Sequence, residues 1–130
     1  MNKITIPYHL IIPAAVGIIA LILIFFYRKR LFEQNKLLWI TIIVFIAVYT
    51  FMIGRAAYED IYCQWNLSRY DINQDGFFMG PEVNKEQEAA MKMLINNVGK
   101  GFSFTVGFVF ASVLSIIVFV AGSLLKSKKK

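Results

Sequence analysis

Side chains that carry oxygen donors recur at alternate positions in one short segment of the chain. Asp71, Asn73 and Asp75 are followed by Gly76, and Glu82 comes six positions later. Calcium takes about six to eight oxygen ligands in a flexible shell, and alternate residues of a tight loop can turn their side chains toward one centre. Gly76 can adopt the positive φ angle that such a turn requires. These residue types at this spacing predict a cation site that favours Ca²⁺ over Mg²⁺, because flexible carboxylates suit the larger ion.

The twelve residues from Asp71 to Glu82 resemble the calcium-binding loop of the EF-hand family. They match the pattern D-x-(D/N)-x-(D/N)-G-x5-E at every specified position, and the resemblance covers only this loop and the helices expected beside it. It implies one bound Ca²⁺, with a water at the Met79 position because a thioether is not a hard oxygen donor. The ligands that it implies are the side chains of Asp71, Asn73, Asp75 and Glu82 and the backbone carbonyl of Phe77.

Other interpretations of this loop remain open. Asp, Asn and Gly are common turn formers, so the segment can also be a hydrogen-bonded turn that binds no metal. EF-hands usually occur in pairs, whereas this chain carries one such loop. A single loop implies weak binding, pairing across a homodimer, or support from the membrane helices.

The composition of the 130-residue chain is that of a membrane protein. Hydrophobic residues make up 58% of it and charged residues 17%, against about 45–50% and 25% in soluble domains. A small soluble domain cannot bury so much apolar surface. The formal net charge is +6, but the basic residues flank apolar segments and are not interleaved with aromatic ones. We therefore expect no nucleic-acid binding.

Three apolar segments are long enough to cross a lipid bilayer. They run from Leu10 to Tyr27, from Leu37 to Met52 and from Phe102 to Leu125, and a helix of about 20 apolar residues spans the hydrocarbon. A basic cluster, and no cleavage-site pattern, follows the first segment, which predicts a retained span and not a cleaved signal peptide. The predicted fold class is all-α, with three transmembrane helices.

The basic residues predict the orientation of these spans. Three spans place two basic groups on the same side of the membrane: Arg28, Lys29, Arg30 and Lys36, and at the chain end Lys126, Lys128, Lys129 and Lys130. Short segments rich in Lys and Arg face the cytoplasm. We therefore expect a cytoplasmic C-terminus, with the N-terminus and the calcium-type loop on the extracytoplasmic side.

The chain is expected to have three parts. Residues 1–54 form a two-helix transmembrane hairpin, residues 55–101 an extracytoplasmic helix–loop–helix of EF-hand type, and residues 102–130 the third transmembrane helix with a basic cytoplasmic tail. In the middle part, helices are predicted from Ala56 to about Tyr70 and from about Pro81 to Val98. The first of them can continue directly from the second span.

Small residues recur at every fourth position toward and along the third span: Gly99, Ser103, Gly107, Ala111 and Ser115. Such spacing lets a second helix approach closely. The stripe predicts a helix contact, either within the chain or with a protein partner or a second copy.

The predicted function is non-enzymatic. The spans contain no Asp, Glu, Lys or Arg, which argues against a pump or proton-coupled transporter, and the chain has no recognised catalytic motif. We expect one Ca²⁺ to be bound in a structural or interaction module of a membrane complex. The alternative is a calcium-modulated channel or transporter subunit, with a pore lined partly by polar residues of the third span: Ser103, Thr105, Ser112 and Ser115.

Overall fold

A computed structural model of the chain describes residues 4–98 and 102–127, and its regular structure is helical. The helices are α1 (Tyr8–Glu33), α2 (Asn35–Ser68), α3 (Lys85–Val98) and α4 (Ser103–Ser127), with a short 3₁₀ turn at Gly80–Glu82. Among the described residues, α1, α2 and α4 are long and apolar enough to cross a membrane. The predicted all-α class is therefore confirmed, and three helices have the length and apolar composition that the predicted spans require.

A very tight turn joins the first two spans. The helical conformation is interrupted at Asn35, where φ is −152° and ψ is 80°, and α2 runs back along α1. The predicted loop from Arg28 to Lys36 is therefore mostly helix. Arg, Lys, Glu and Gln are good helix formers with water-exposed ends, whereas Asn readily leaves the helical conformation.

Small side chains let α1 and α2 pack closely. Leu10 and Ala14 of α1 form a buried cluster with Ile53, Ala56 and Ala57 of α2. Further along the same interface, a Cβ atom at position 17 would overlap the hydroxyl of Thr50. Gly17 is therefore required for the close approach of the two backbones at this level.

The small-residue stripe of α4 packs against α2. Gly107, Ala111 and Ser115 are the buried residues of α4, and Gly107 faces Tyr49 and Met52 of α2. The helix contact predicted from the stripe is thus made within the chain, and α2 is the central helix of the bundle. Gly99, the first member of the stripe, lies outside the described residues.

Aromatic rings close the same interface. Phe45 and Tyr49 of α2 meet Phe104 and Phe108 of α4 edge to face, with ring centroids 5.5–6.1 Å apart. Edge-to-face pairs add about 0.5–1.5 kcal/mol to the burial of the rings. These four rings hold the two helices together near Gly107.

The central helix is longer than the bilayer requires. Its 34 residues extend about 51 Å, whereas the hydrocarbon of a bilayer is about 30 Å thick. The predicted helix after residue 56 is therefore a continuation of the second span. Three aromatic rings share one face of this continuation: the Tyr58–Tyr62 and Tyr62–Trp65 ring centroids lie 6.2 and 6.0 Å apart.

The helix after the loop begins later than predicted. Gly80, with φ of +57°, and Pro81 form a separate 3₁₀ turn that ends at Glu82, and α3 begins only at Lys85. Asn84 supplies the start signal, because its side-chain oxygen accepts a hydrogen bond of 2.8 Å from the backbone N–H of Gln87. The predicted start at about Pro81 was wrong because the Asn84 cap closes the first turn at Lys85.

Replacing Asn84 by alanine is expected to lower the stability of α3 by about 1 kcal/mol, because the N–H of Gln87 loses its acceptor. Amide hydrogen exchange in the first turn of α3 measures the effect. Asn96→Ala is the matched control, since Asn96 is exposed within the same helix and alanine is the better helix former there. Equal protection in the two variants would contradict the assignment of the cap.

Candidate metal centre

The loop between α2 and the 3₁₀ turn makes the sharp turn predicted from its glycine. Gly76 has φ of +87°, and Gln74, two residues earlier, also has a positive φ of +59°. Left-handed conformations are strained for residues with a Cβ atom, so neighbouring contacts must hold Gln74 in place. The loop is thus a specific, tightly turned structure.

Two buried carboxylates, one at each end of the loop, hold this turn. Oδ2 of Asp71 accepts a hydrogen bond of 3.0 Å from the N–H of Gly76. Oε1 of Glu82 accepts two, from the N–H groups of Ile72 at 2.9 Å and Asn73 at 3.2 Å. The last position of the twelve-residue loop is therefore hydrogen-bonded to its second and third positions, although Glu82 lies ten positions after Ile72 in sequence.

Asn73 and Asp75 lie on the exposed side of the loop and bind each other. The Nδ2 group of Asn73 donates to Oδ2 of Asp75 at 2.8 Å, and Oδ1 of Asn73 accepts from the N–H of Asp75 at 3.1 Å. Oδ1 of Asp75 accepts from the N–H of Phe77 at 2.7 Å. These are side-chain-to-backbone turns that Asn and Asp make without a metal.

The carboxylates do not converge on a single point. Within residues 4–98 and 102–127, no group of three or more His, Cys, Asp or Glu side chains is arranged to hold a metal ion. The donors have the hard-oxygen chemistry that Ca²⁺ prefers, but those of Glu82 and Asp75 are directed at backbone N–H groups. Since α3 begins three residues after Glu82, a helix–loop–helix of EF-hand type is not shown by the structure.

The loop packs on the rest of the extramembrane part through Phe78. This half-buried ring lines a small cavity of about 200 Å³ with Ile4, Leu67 of α2 and Leu94 of α3. Burial of Phe78 connects the loop to α2, α3 and the N-terminal segment.

A glutamine that sequence analysis did not single out fixes the N-terminal segment. The side-chain amide of Gln64 accepts a hydrogen bond of 2.6 Å from the N–H of Thr5 and donates one of 3.0 Å to its carbonyl. Asp60 orients this amide by accepting from Nε2 at 3.0 Å. Because 59 residues separate the partners, no local pattern in the sequence could have revealed the pair.

The serines proposed as a pore lining bond to their own helix. The hydroxyl of Ser112 donates to the carbonyl of Phe108, and that of Ser115 to the carbonyl of Ala111, both at 2.8 Å. Ser115 is also buried. These two side chains therefore offer little polarity to an ion path.

Comparison with known protein families, curated proteins and solved structures found no match to this chain. Function is therefore argued from the residues and contacts of the chain itself.

Proposed function

We propose that this chain is a non-enzymatic membrane protein whose loop from Asp71 to Glu82 binds one Ca²⁺, and that the ion stabilises a surface offered to a protein partner. One observation carries the proposal. The carboxylates at the first and last positions, Asp71 and Glu82, are both buried inside a loop that already turns sharply at Gly76. The backbone N–H groups that bond to these carboxylates compensate part of the cost of burying two negative charges, and a divalent cation would compensate more of it, which supports a cation-responsive loop.

The same residues would hold the ion. Asp71, Asn73, Asp75 and Glu82 would bind through side-chain oxygens and Phe77 through its backbone carbonyl. Calcium, when bound, supplies a divalent positive charge that compensates the carboxylates. Glu82 also accepts hydrogen bonds from backbone N–H groups of the loop. The proposed role of these carboxylates is thus to keep the loop closed with or without the ion.

The proposed partner surface is formed by exposed apolar side chains of the loop. They belong to the same short segment as the proposed ligands: Ile72, Phe77, Met79 and Val83, which are 48–74% exposed. Exposed apolar groups that cluster mark interaction sites more often than isolated ones. A stabilised loop would present them in one arrangement, which favours binding because less conformational entropy is lost.

The orientation predicted from the basic residues forms part of the proposal. Leu37, near the turn between α1 and α2, packs against Gly122 of α4, so Arg28–Arg30 and Lys126 lie at the same end of the bundle. Basic ends face the cytoplasm, and we propose that the calcium loop lies on the other side. Extracellular calcium modules bind with dissociation constants of about 10⁻⁴–10⁻³ M, so an ion bound there would act as a structural element.

Calorimetric titration of the purified protein tests the proposal. We expect saturable Ca²⁺ binding at about 0.1–1 mM. Glu82→Gln is expected to weaken it more than tenfold, because glutamine keeps one oxygen acceptor for the loop amides but loses the charge and the second oxygen. Asp71→Asn should act in the same direction.

Glu88→Gln is the matched control, since Glu88 lies exposed on α3 and the same charge is removed outside the loop. Its titration should follow that of the unmodified protein. The proposal is wrong if no saturable heat develops up to several millimolar Ca²⁺, or if the Glu88 and Glu82 variants bind equally.

A further inference from the structure

A groove runs along the outer surface of the bundle between α2 and α4. Its volume is about 740 Å³, within the range of about 300–1,000 Å³ that is typical of ligand sites. One end is polar, with Arg55, Glu59 and Ser103, and the other is apolar, with Val48, Phe110 and Leu114. The groove is therefore amphipathic along its length.

The polar end lies where the hydrocarbon of a bilayer ends. Arg55 follows the turn at Asn35 by 20 positions, which is about 30 Å along a helix and equal to the thickness of the hydrocarbon. From Ser103 to Leu114 the groove extends about 16 Å along α4, or roughly half of that thickness. The groove is thus one leaflet deep, and it opens at the hydrocarbon boundary on the side of the membrane opposite the turn at Asn35.

The charged group at the opening suits a phosphate. Nε of Arg55 contacts Oε1 of Glu59 at 2.9 Å, and the Arg55 side chain is 70% exposed. A guanidinium carries five donors in a planar fork that matches phosphate oxygens, so one contact with Glu59 leaves most of its donors available to a ligand. Ser103 adds a hydroxyl at the same end.

We propose that the groove between α2 and α4 binds a phospholipid of the leaflet on Arg55's side, with an acyl chain along the apolar wall and the phosphodiester on Arg55. The groove is charged at its opening and apolar over the depth of one leaflet, as a phospholipid is from headgroup to acyl chain. The guanidinium of Arg55 at the opening is complementary to the phosphate. This site is separate from the calcium loop, and its test does not depend on calcium binding.

Native mass spectrometry of the detergent-solubilised protein tests the site with two probes, dioleoylphosphatidylglycerol and dioleoylglycerol, which lacks the phosphate. The phospholipid is expected to bind more tightly than the diacylglycerol. Arg55→Gln should weaken the phospholipid about tenfold, the effect of one charge-assisted hydrogen bond, and leave dioleoylglycerol unchanged. Arg69→Gln is the control, because Arg69 stacks on Trp65 outside the groove.

A second pair of variants tests the apolar wall. Ala47 lines the groove, so Ala47→Phe should fill it and lower the retention of both probes at least fivefold, while Ala15→Phe on the exposed face of α1 should not. The proposal is overturned if Arg55→Gln binds phospholipid as the unmodified protein does, or if the two phenylalanine variants behave alike. A dimer that only Ala47→Phe abolishes would assign the groove to a second copy and would also overturn it.

Discussion

Replacing Ile53 by alanine is expected to lower the free energy of unfolding by about 2–5 kcal/mol. Ile53 is the largest fully buried side chain of the described residues, with 0% exposure. Three members of its buried cluster are alanines, Ala14, Ala56 and Ala57, whose short side chains cannot move into the space left behind. The cavity would therefore persist, and the lost contacts would not be replaced.

Unfolding in mixed micelles with increasing denaturing detergent, followed by circular dichroism, measures this change. Ile116→Ala is the matched control, because Ile116 is 62% exposed on α4 and loses the same atoms where lipid or detergent can fill the space. Its effect should stay below about 1 kcal/mol, as expected for a substitution outside the core. Similar destabilisation by the two variants would contradict the α1–α2 core described above.

Glu82→Ala is expected to open the loop even in the presence of a calcium chelator. The buried carboxylate accepts hydrogen bonds from Ile72 and Asn73, and its removal leaves both N–H groups without their acceptor. We expect the loop to lose about 2 kcal/mol, since each lost acceptor costs about 1–3 kcal/mol when burial is complete and less near the surface. This loss corresponds to roughly thirtyfold faster exchange of the two amides.

Amide exchange measured by nuclear magnetic resonance at Ile72 and Asn73 tests this prediction. Glu82→Gln should retain part of the protection, because its side-chain oxygen still accepts a hydrogen bond. Glu88→Ala, on the exposed face of α3, should leave both rates unchanged. Unchanged exchange in Glu82→Ala would show that Glu82 does not hold the loop. Because the chelator is present, the result does not depend on the proposed calcium binding.

Local patterns predicted the extent of the spans well. The first apolar segment lies within α1, which the basic residues extend to Glu33, and the ends of the third segment lie within two residues of those of α4. Apolar length determines a span because each backbone polar group must bond within its own helix in lipid. The turn at Gly76 was also predictable, because glycine has no Cβ atom and adopts a positive φ angle without steric cost.

The start of α3 and the groups to which the loop carboxylates bond were less predictable. Gly80 and Pro81 resemble a helix start, but the competing cap at Asn84 is used. The spacing of Asp71, Asp75 and Glu82 predicts convergence on a cation, whereas the structure directs their oxygens at backbone N–H groups. A carboxylate oxygen can bind a cation or accept a hydrogen bond from an N–H group, so the spacing of the residues alone does not decide which of the two it does.

The sequence by itself determined that the chain is helical, with three helices long and apolar enough to cross a membrane and a tight acidic loop, because hydropathy, helix length and turn chemistry act over short stretches of chain. Only the tertiary structure decided which surfaces meet. The stripe of α4 packs on α2, Gly17 lies against Thr50, and Gln64 binds Thr5. These contacts join residues far apart in sequence, and each depends on the rotation and register of two helices or on the path of the N-terminal segment, which no local pattern specifies.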